Sequence, residues 1–215
     1  MNTEVMLLIG AGQIGMAIAR RMGYGKKIVV GDRTQKNAES VSRILNEAGF
    51  DTSPVEMDLS SRESILNMIA EAQKFGEISM LVNAAGVSPS QAPIETILRV
   101  DLYGTALLLE EVGKVIGCGG VGVTISSQSG HRMPALTPEE DELLATTPTD
   151  ALLALDMLQP DRIRDTLHAY QMAKRCNVLS TSSTVREANF TRTCSPNVRQ
   201  VVPERQTKWP MSPNY

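Results

Sequence analysis

"VMLLIGAGQIGMAIARRMGYGKKIVVGD", residues 5–32, changes its hydrophobic period twice within one short stretch. Val5 to Ile9 is a continuous apolar run of strand length, and "KIVVGD" from Lys27 is a second. Between them Ile14, Ala17 and Ile18 recur at helical spacing and predict the inner stripe of a helix. Gly10, Gly12 and Gly15 occupy the junction of the first strand and that helix. Small residues there let the backbone turn tightly and approach a pyrophosphate, while the helix N-terminus offers N–H donors and a partial positive charge. Gln13 and Ile14, inside the same GAGQIG turn, are candidates to line such a ligand. Asp32 ends the second strand about twenty residues past the first glycines, where a carboxylate accepts hydrogen bonds from ribose hydroxyls.

The same rhythm continues to residue 130. "SPVEMD" (53–58), "SMLVNAAG" (79–86) and "GVGVTISS" (120–127) read as three further strands. The intervening stretches carry helical stripes: Val41, Ile44, Leu45 and Ala48, then Ile65, Met68, Ile69 and Ala72. Gly49 reads as a helix stop and Ser60-x-x-Glu63 as a capping box. Strands alternating with helices predict an α/β protein, a Rossmann-type doubly wound parallel sheet with helices on both faces. Residues 131–165 interrupt the rhythm with prolines and short Leu-rich pieces, which predict a lobe of brief helices. One helix returns over 166–179. The expected organisation is therefore a domain over 1–179 with an inserted lobe, then a polar tail over 180–215.

A chain of 215 residues with 42% apolar content has enough material for a buried core. Its net charge of −3 gives no overall attraction to nucleic acid or an anionic membrane, so small-molecule partners are expected. Cys118, Cys176 and Cys194 lack metal-ligand spacing and read as packing residues of a reducing compartment. No secretory pattern and no apolar run of membrane length is present, which points to the cytoplasm. His131 and His168 have no partner at metal or triad spacing and read as polar loop residues.

Ser127, Tyr170 and Lys174 are the candidates for acid–base chemistry. A phenol is too weak an acid to exchange protons readily at neutral pH, but an ammonium one helical turn away stabilises the phenolate. Tyr170 and Lys174 have that spacing. A serine hydroxyl at the end of the fifth strand can hold the substrate oxygen while the proton moves. Arg33, directly after Asp32, could meet a ribose 2′-phosphate, so NAD and NADP both remain open; the Asp32 carboxylate would repel that phosphate and favours NAD.

Taken together, "GAGQIG", Asp32, "MDLS", "NAAG", "VDLYGT", "ISSQSG" and "YQMAK" resemble the short-chain dehydrogenases/reductases over residues 4 to about 179. The resemblance implies an NAD(P)-dependent oxidoreductase interconverting an alcohol and a carbonyl by hydride transfer. It implies that Asp58, with Leu59, meets the adenine, and that Asn83, Ala84, Ala85 and Gly86 form a turn beside the cofactor. It implies Ser127 polarising the substrate, Tyr170 as acid/base and Lys174 on the nicotinamide ribose. A homo-oligomer is compatible with the resemblance for intact relatives, and the state of this chain stays open. Two departures stand out. The glycine turn is tighter than the family's commoner TGxxxGxG. Where relatives usually place an asparagine of the proton relay, this chain has Asp101, which reads either as a relay residue or as an aspartate facing a helix N-terminal dipole.

From Ser180 onward Ser, Thr, Asn, Pro, Arg and Gln dominate, and all 16 glycines fall at or before Gly130. Relatives continue with a sixth strand, a Ser-Pro-Gly turn over the nicotinamide, a substrate-loop helix and a seventh strand. Nothing matching these is legible, so the sheet is expected to be incomplete at its C-terminal end and the tail disordered. The switch reads as a reading-frame change or truncated gene, with a natural polar tail as the alternative. On that basis activity is expected to be impaired, and a non-catalytic nucleotide-binding or degenerate fragment is the rival expectation.

Overall fold

The computed structural model describes residues 3–187. Five strands, β1 (Glu4–Ile9), β2 (Lys27–Asp32), β3 (Asp51–Glu56), β4 (Glu77–Asn83) and β5 (Val121–Thr124), pair in parallel in the order β3-β2-β1-β4-β5. β1 is central and buried along its length after Glu4, which is why its sequence is uninterrupted apolar text. Successive residues nonetheless serve opposite faces. Met6 and Leu8 pack with Ala19, Val41 and Leu45 of α1 (Gln13–Met22) and α2 (Gln35–Glu47). Val5, Leu7 and Ile9 pack with Ile65, Met68, Leu108 and Val112 of α3 (Arg62–Gln73) and α5 (Thr105–Gly113).

Successive strands are added toward one edge from β1 to β3 and toward the other from β4 to β5, so β1 and β4, parallel neighbours, flank the switch point of the sheet. Main-chain bonds run on past the strand ends there: Gly10 N–H to the Gly31 carbonyl (2.9 Å) and Ala84 N–H to the Ile9 carbonyl (2.8 Å). The glycine turn and the Asn83–Gly86 turn therefore lie side by side at the carboxyl edge.

A short helix α4 (Ile94–Ile97) leads without a break into a π-helical segment, Leu98–Gly104, and then into α5. Residues 131–165 fold into α6 (Pro138–Thr146), α7 (Thr149–Leu152) and a 3₁₀ turn, Asp156–Leu158. Leu144, Leu152, Leu158 and Ile163 from this lobe are buried against Ala169, Met172, Ala173 and Cys176 of α8 (Thr166–Glu187). Thr137 and Glu140 form a reciprocal capping box that starts α6. Arg175 of α8 clasps Asp141 of the lobe, Nε to Oδ1 at 2.9 Å.

Several expectations need correction. Ile14 and Ala17 are exposed, and α1 buries Gly15 and Ala19 instead, because a glycine and an alanine let the helix lie close to the sheet. Ala48 is exposed beyond the end of α2, while Ala38 and Ser42 complete the buried stripe with Val41 and Leu45. The cap of α3 is Ser61, whose side chain accepts from Ser64 N–H; Ser60 instead serves Asp58. Gly49 does stop α2, at φ +89°. β3, Asp51–Glu56, begins and ends two residues before the stretch 53–58 expected to form it. α8 continues to Glu187 rather than ending at 179. Cys118 is exposed, so packing explains Cys176 but not Cys118. The tail from residue 188, Cys194 included, lies outside the described residues.

Candidate dinucleotide and tyrosine–lysine site

The glycine turn is built by sterics. Gly10 adopts φ +86°, and a Cβ there would stand 2.7 Å from the Ala84 carbonyl carbon and 2.6 Å from Ala85 Cα. A side chain on Gly15 would collide with the Gly10 carbonyl oxygen. Gly12 differs: nothing lies within 4 Å of the position of an added Cβ. It is the N-cap of α1, no side chain caps that end, and no acidic residue occupies the first turn. N–H donors at an uncapped helix start beside open space suit an anion such as a pyrophosphate. Gln13 and Ile14 are exposed at the same place, Ile14 to 57%.

Asp32 faces this turn from the end of β2. Its Oδ2 accepts from Ala11 N–H (3.2 Å) and from Asn37 Nδ2 (2.8 Å), and its Oδ1 accepts from Thr34 N–H (3.2 Å). The carboxylate is thereby oriented yet partly accessible, and Arg33 beside it is exposed. Asp58 is exposed, with Oδ1 accepting from both the N–H and the hydroxyl of Ser60 (2.8 and 2.7 Å). Leu59 is buried in the core, its carbonyl against Gly104. Asn83 is buried, its Nδ2 donating to Thr105 Oγ1 (3.3 Å) and its Oδ1 accepting from Ala85 N–H (3.3 Å). Those bonds hold the turn that carries Ala84, Ala85 and Gly86 against Gly10.

Next to that turn is Asp101, fully buried. The π-helical segment places it inside a continuous helix that began at Ile94, so the alternative of a helix N-terminal aspartate is corrected. Its Oδ1 accepts from Val87 N–H (2.8 Å), and Lys174 Nζ stands 3.1 Å from its Oδ2 in an ion pair that leaves Oδ2 without a well-aligned hydrogen bond. Burial raises the Asp101 pKa above the ordinary carboxylate range, against the pull of Lys174 and the Val87 N–H. Gly86 makes room: a Cβ there would come within 3.1 Å of Oδ2.

Lys174, also buried, lies 5.2 Å from the centre of the Tyr170 ring. The ammonium is thus flanked by a carboxylate and a phenol. The loop after β5 abuts the same turn of α8: Ser126 Oγ donates to the Lys174 carbonyl (2.8 Å), and a Cβ on Gly130 would stand 2.7 Å from Arg175 N. Ser127 Oγ accepts from Ser129 N–H (3.1 Å), and its own proton has no acceptor among the described residues. The structure therefore joins Gly10, Ala84–Ala85, Val87, Asp101 and Lys174 in one run of contacts. It brings the Ser127 loop to the backbone at Lys174, with no bond between the Ser127 and Tyr170 side chains.

Nothing in the sequence pattern singles out Ser126, Asn37 or Asn177. With its amide oriented to satisfy both groups, Asn177 donates to the Ala173 carbonyl (3.0 Å) and the Asp101 carbonyl (2.8 Å). Its signal is positional, one turn beyond Lys174 on the same face. His168 lies in the first turn of α8 and not in a loop; its Nδ1 accepts from Arg164 N–H (3.2 Å), and burial lowers its pKa. Among the described residues no group of three or more His, Cys, Asp or Glu could hold a metal, and no helix is long and apolar enough to cross a membrane.

A parallel sheet with these turns at its switch point defines a Rossmann-type α/β protein. The family model for short chain dehydrogenases matches residues 4–138. The chain belongs to that family. Similar proteins include a short-chain dehydrogenase/reductase of Alternaria brassicicola, 36% identical over 179 residues, and a tropinone reductase-like protein of Erythroxylum coca, 30% identical over 132 residues. The matches cover 82% and 57% of this chain, and the chain spans 65% and 51% of those relatives. A solved short chain dehydrogenase of Mycobacterium smegmatis superposes with TM-score 0.65 at 21% identity, covering 87% of this chain and 70% of that one. The Serratia marcescens enzyme of the same class gives 0.63 at 18%, covering 86% and 68%. These likenesses establish the fold.

Proposed function

We propose that the chain is an NAD(P)-dependent oxidoreductase that interconverts an alcohol and a carbonyl of a small molecule. The observation that carries this is the run of contacts from Gly10 through Val87 and Asp101 to Lys174, because it couples a phosphate-suited turn to a tyrosine–lysine helix. A bound nicotinamide dinucleotide would supply the hydride donor or acceptor. Gly12 and the open start of α1 would hold its pyrophosphate, and Asp32, turned toward the glycine turn by Asn37, its adenosine ribose. Asp32 favours NAD, with exposed Arg33 as the feature that would favour NADP.

Tyr170 exchanges the proton with the substrate oxygen in this mechanism, and the Lys174 ammonium stabilises the phenolate. Ser127, whose proton is uncommitted, donates a hydrogen bond to the same oxygen. Fluorescence titration with NADH and NADPH, followed by steady-state assays on secondary alcohols and ketones, tests the proposal. We expect tighter binding of NADH, a gap narrowed by Asp32→Ala, and turnover that falls at least about 100-fold in Tyr170→Phe. Binding of neither nucleotide, or turnover indifferent to Tyr170→Phe, would overturn it. Binding without turnover would favour a nucleotide-binding module.

A further inference from the structure

We infer that Asp101 is a positioning residue that acts as the counter-ion of Lys174, and that this chain depends on its charge, so that the asparagine usual among relatives would not serve here. The inference rests on the proposed dinucleotide site for its binding arm alone.

Lys174 Nζ and Asp101 Oδ2 are 3.1 Å apart, with side chains 5% and 0% exposed. Water is therefore largely excluded, and an ammonium in such a place needs a neutralising partner. The groups that face it are few: the Tyr170 ring lies 5.2 Å away, and among the described residues no second carboxylate is paired with Lys174. Asp101 is itself fixed from three directions, by Val87 N–H on Oδ1, by Asn177 on its main-chain carbonyl, and by the space that Gly86 leaves beside the carboxylate. An amide would fit this volume. Its oxygen could still accept one hydrogen bond, but the ammonium would stay buried without a counter-charge. The lysine would then lose its fixed place between the carboxylate and Tyr170.

A double-mutant cycle on Asp101→Asn and Lys174→Met tests this with two readouts, thermal unfolding and fluorescence titration with NADH. Each single substitution should lower Tm by several degrees, and the double variant, which removes both charges, should recover most of that loss. Asp101→Asn should weaken NADH binding about tenfold when Lys174 is present and leave it unchanged when residue 174 is already methionine. That dependence on Lys174 separates positioning from a merely structural brace, which would weaken binding equally in both backgrounds. Strictly additive Tm losses, or wild-type Tm and NADH affinity in Asp101→Asn, would overturn the inference. Should the unmutated chain bind neither NADH nor NADPH, the proposed function falls, while the unfolding arm still decides the ion pair; should it bind NADPH alone, the titration is run with NADPH.

Discussion

Gly10 and Gly12 sit two residues apart in one turn and answer to different constraints. Gly10 carries a left-handed φ and touches the Ala84–Ala85 backbone, so Gly10→Ala should cost about 1–3 kcal/mol from backbone strain alone, with the collision added. Gly12 has an ordinary negative φ and open space beside it. Gly12→Ala should therefore keep unfolding stability within about 1 kcal/mol of wild type, yet weaken NADH binding, because its methyl group would fill the ligand's space. Urea denaturation of both variants alongside NADH titration checks the pair of outcomes. Equal destabilisation by the two substitutions would contradict the distinction.

At the scale of elements, the lobe is fastened to the body by charged side chains as well as by leucines. Arg62 of α3 donates to Glu110 (3.1 Å), to Glu111 and to Asp150 of α7 (2.9 Å), while Lys114 donates to Glu110 (2.9 Å). Burial pushes Glu110 upward, but hydrogen bonds from Lys114 and Arg62 outweigh it and bring its pKa down to about 2 from 4.5. A depressed carboxylate contributes stability that is present above its unfolded value and lost as pH falls toward the folded one. Between about pH 4.5 and 2, then, Glu110→Gln should flatten the acid limb of the urea midpoint measured against pH. An acid limb unchanged in that window would show that the network contributes nothing there.

How far these elements were legible depends on whether one residue type had one structural meaning. The strands were, since β1 and β2 are buried on both faces and leave an uninterrupted apolar signature. The stripe of α1 was misread because a close-packed helix buries glycine and alanine, which carry little hydrophobic signal, and exposes Ile14 near the candidate ligand space. The π-helical turn was not legible at all: its extra residue has no compositional mark, yet it decides that Asp101 points at Lys174 and Val87. Tyr170 and Lys174 were legible as a pair through helical spacing. Asn177 and Val87 were not, as an amide and a backbone N–H take their roles only from the fold.

Across the whole molecule, β5 is paired only with β4 among the described residues, and Val121 and Val123 are 47% and 42% exposed. A strand edge with exposed apolar side chains invites pairing with another chain. If this edge pairs with a second copy, Val123→Lys should shift the purified protein toward smaller species in sedimentation velocity at fixed concentration; an unchanged distribution would show that the edge makes no such pairing.

The Asp101–Lys174 pair has a further consequence for how the polypeptide comes off the ribosome. The five described strands, the glycine turn and Asp101 itself are synthesised before Lys174, with the lobe in between. Until α8 emerges, burying the aspartate would leave a carboxylate unneutralised, so the nascent N-terminal half pays for closing too soon. The candidate site is therefore complete only once translation has delivered Lys174, because its ion pair joins residues on either side of the lobe.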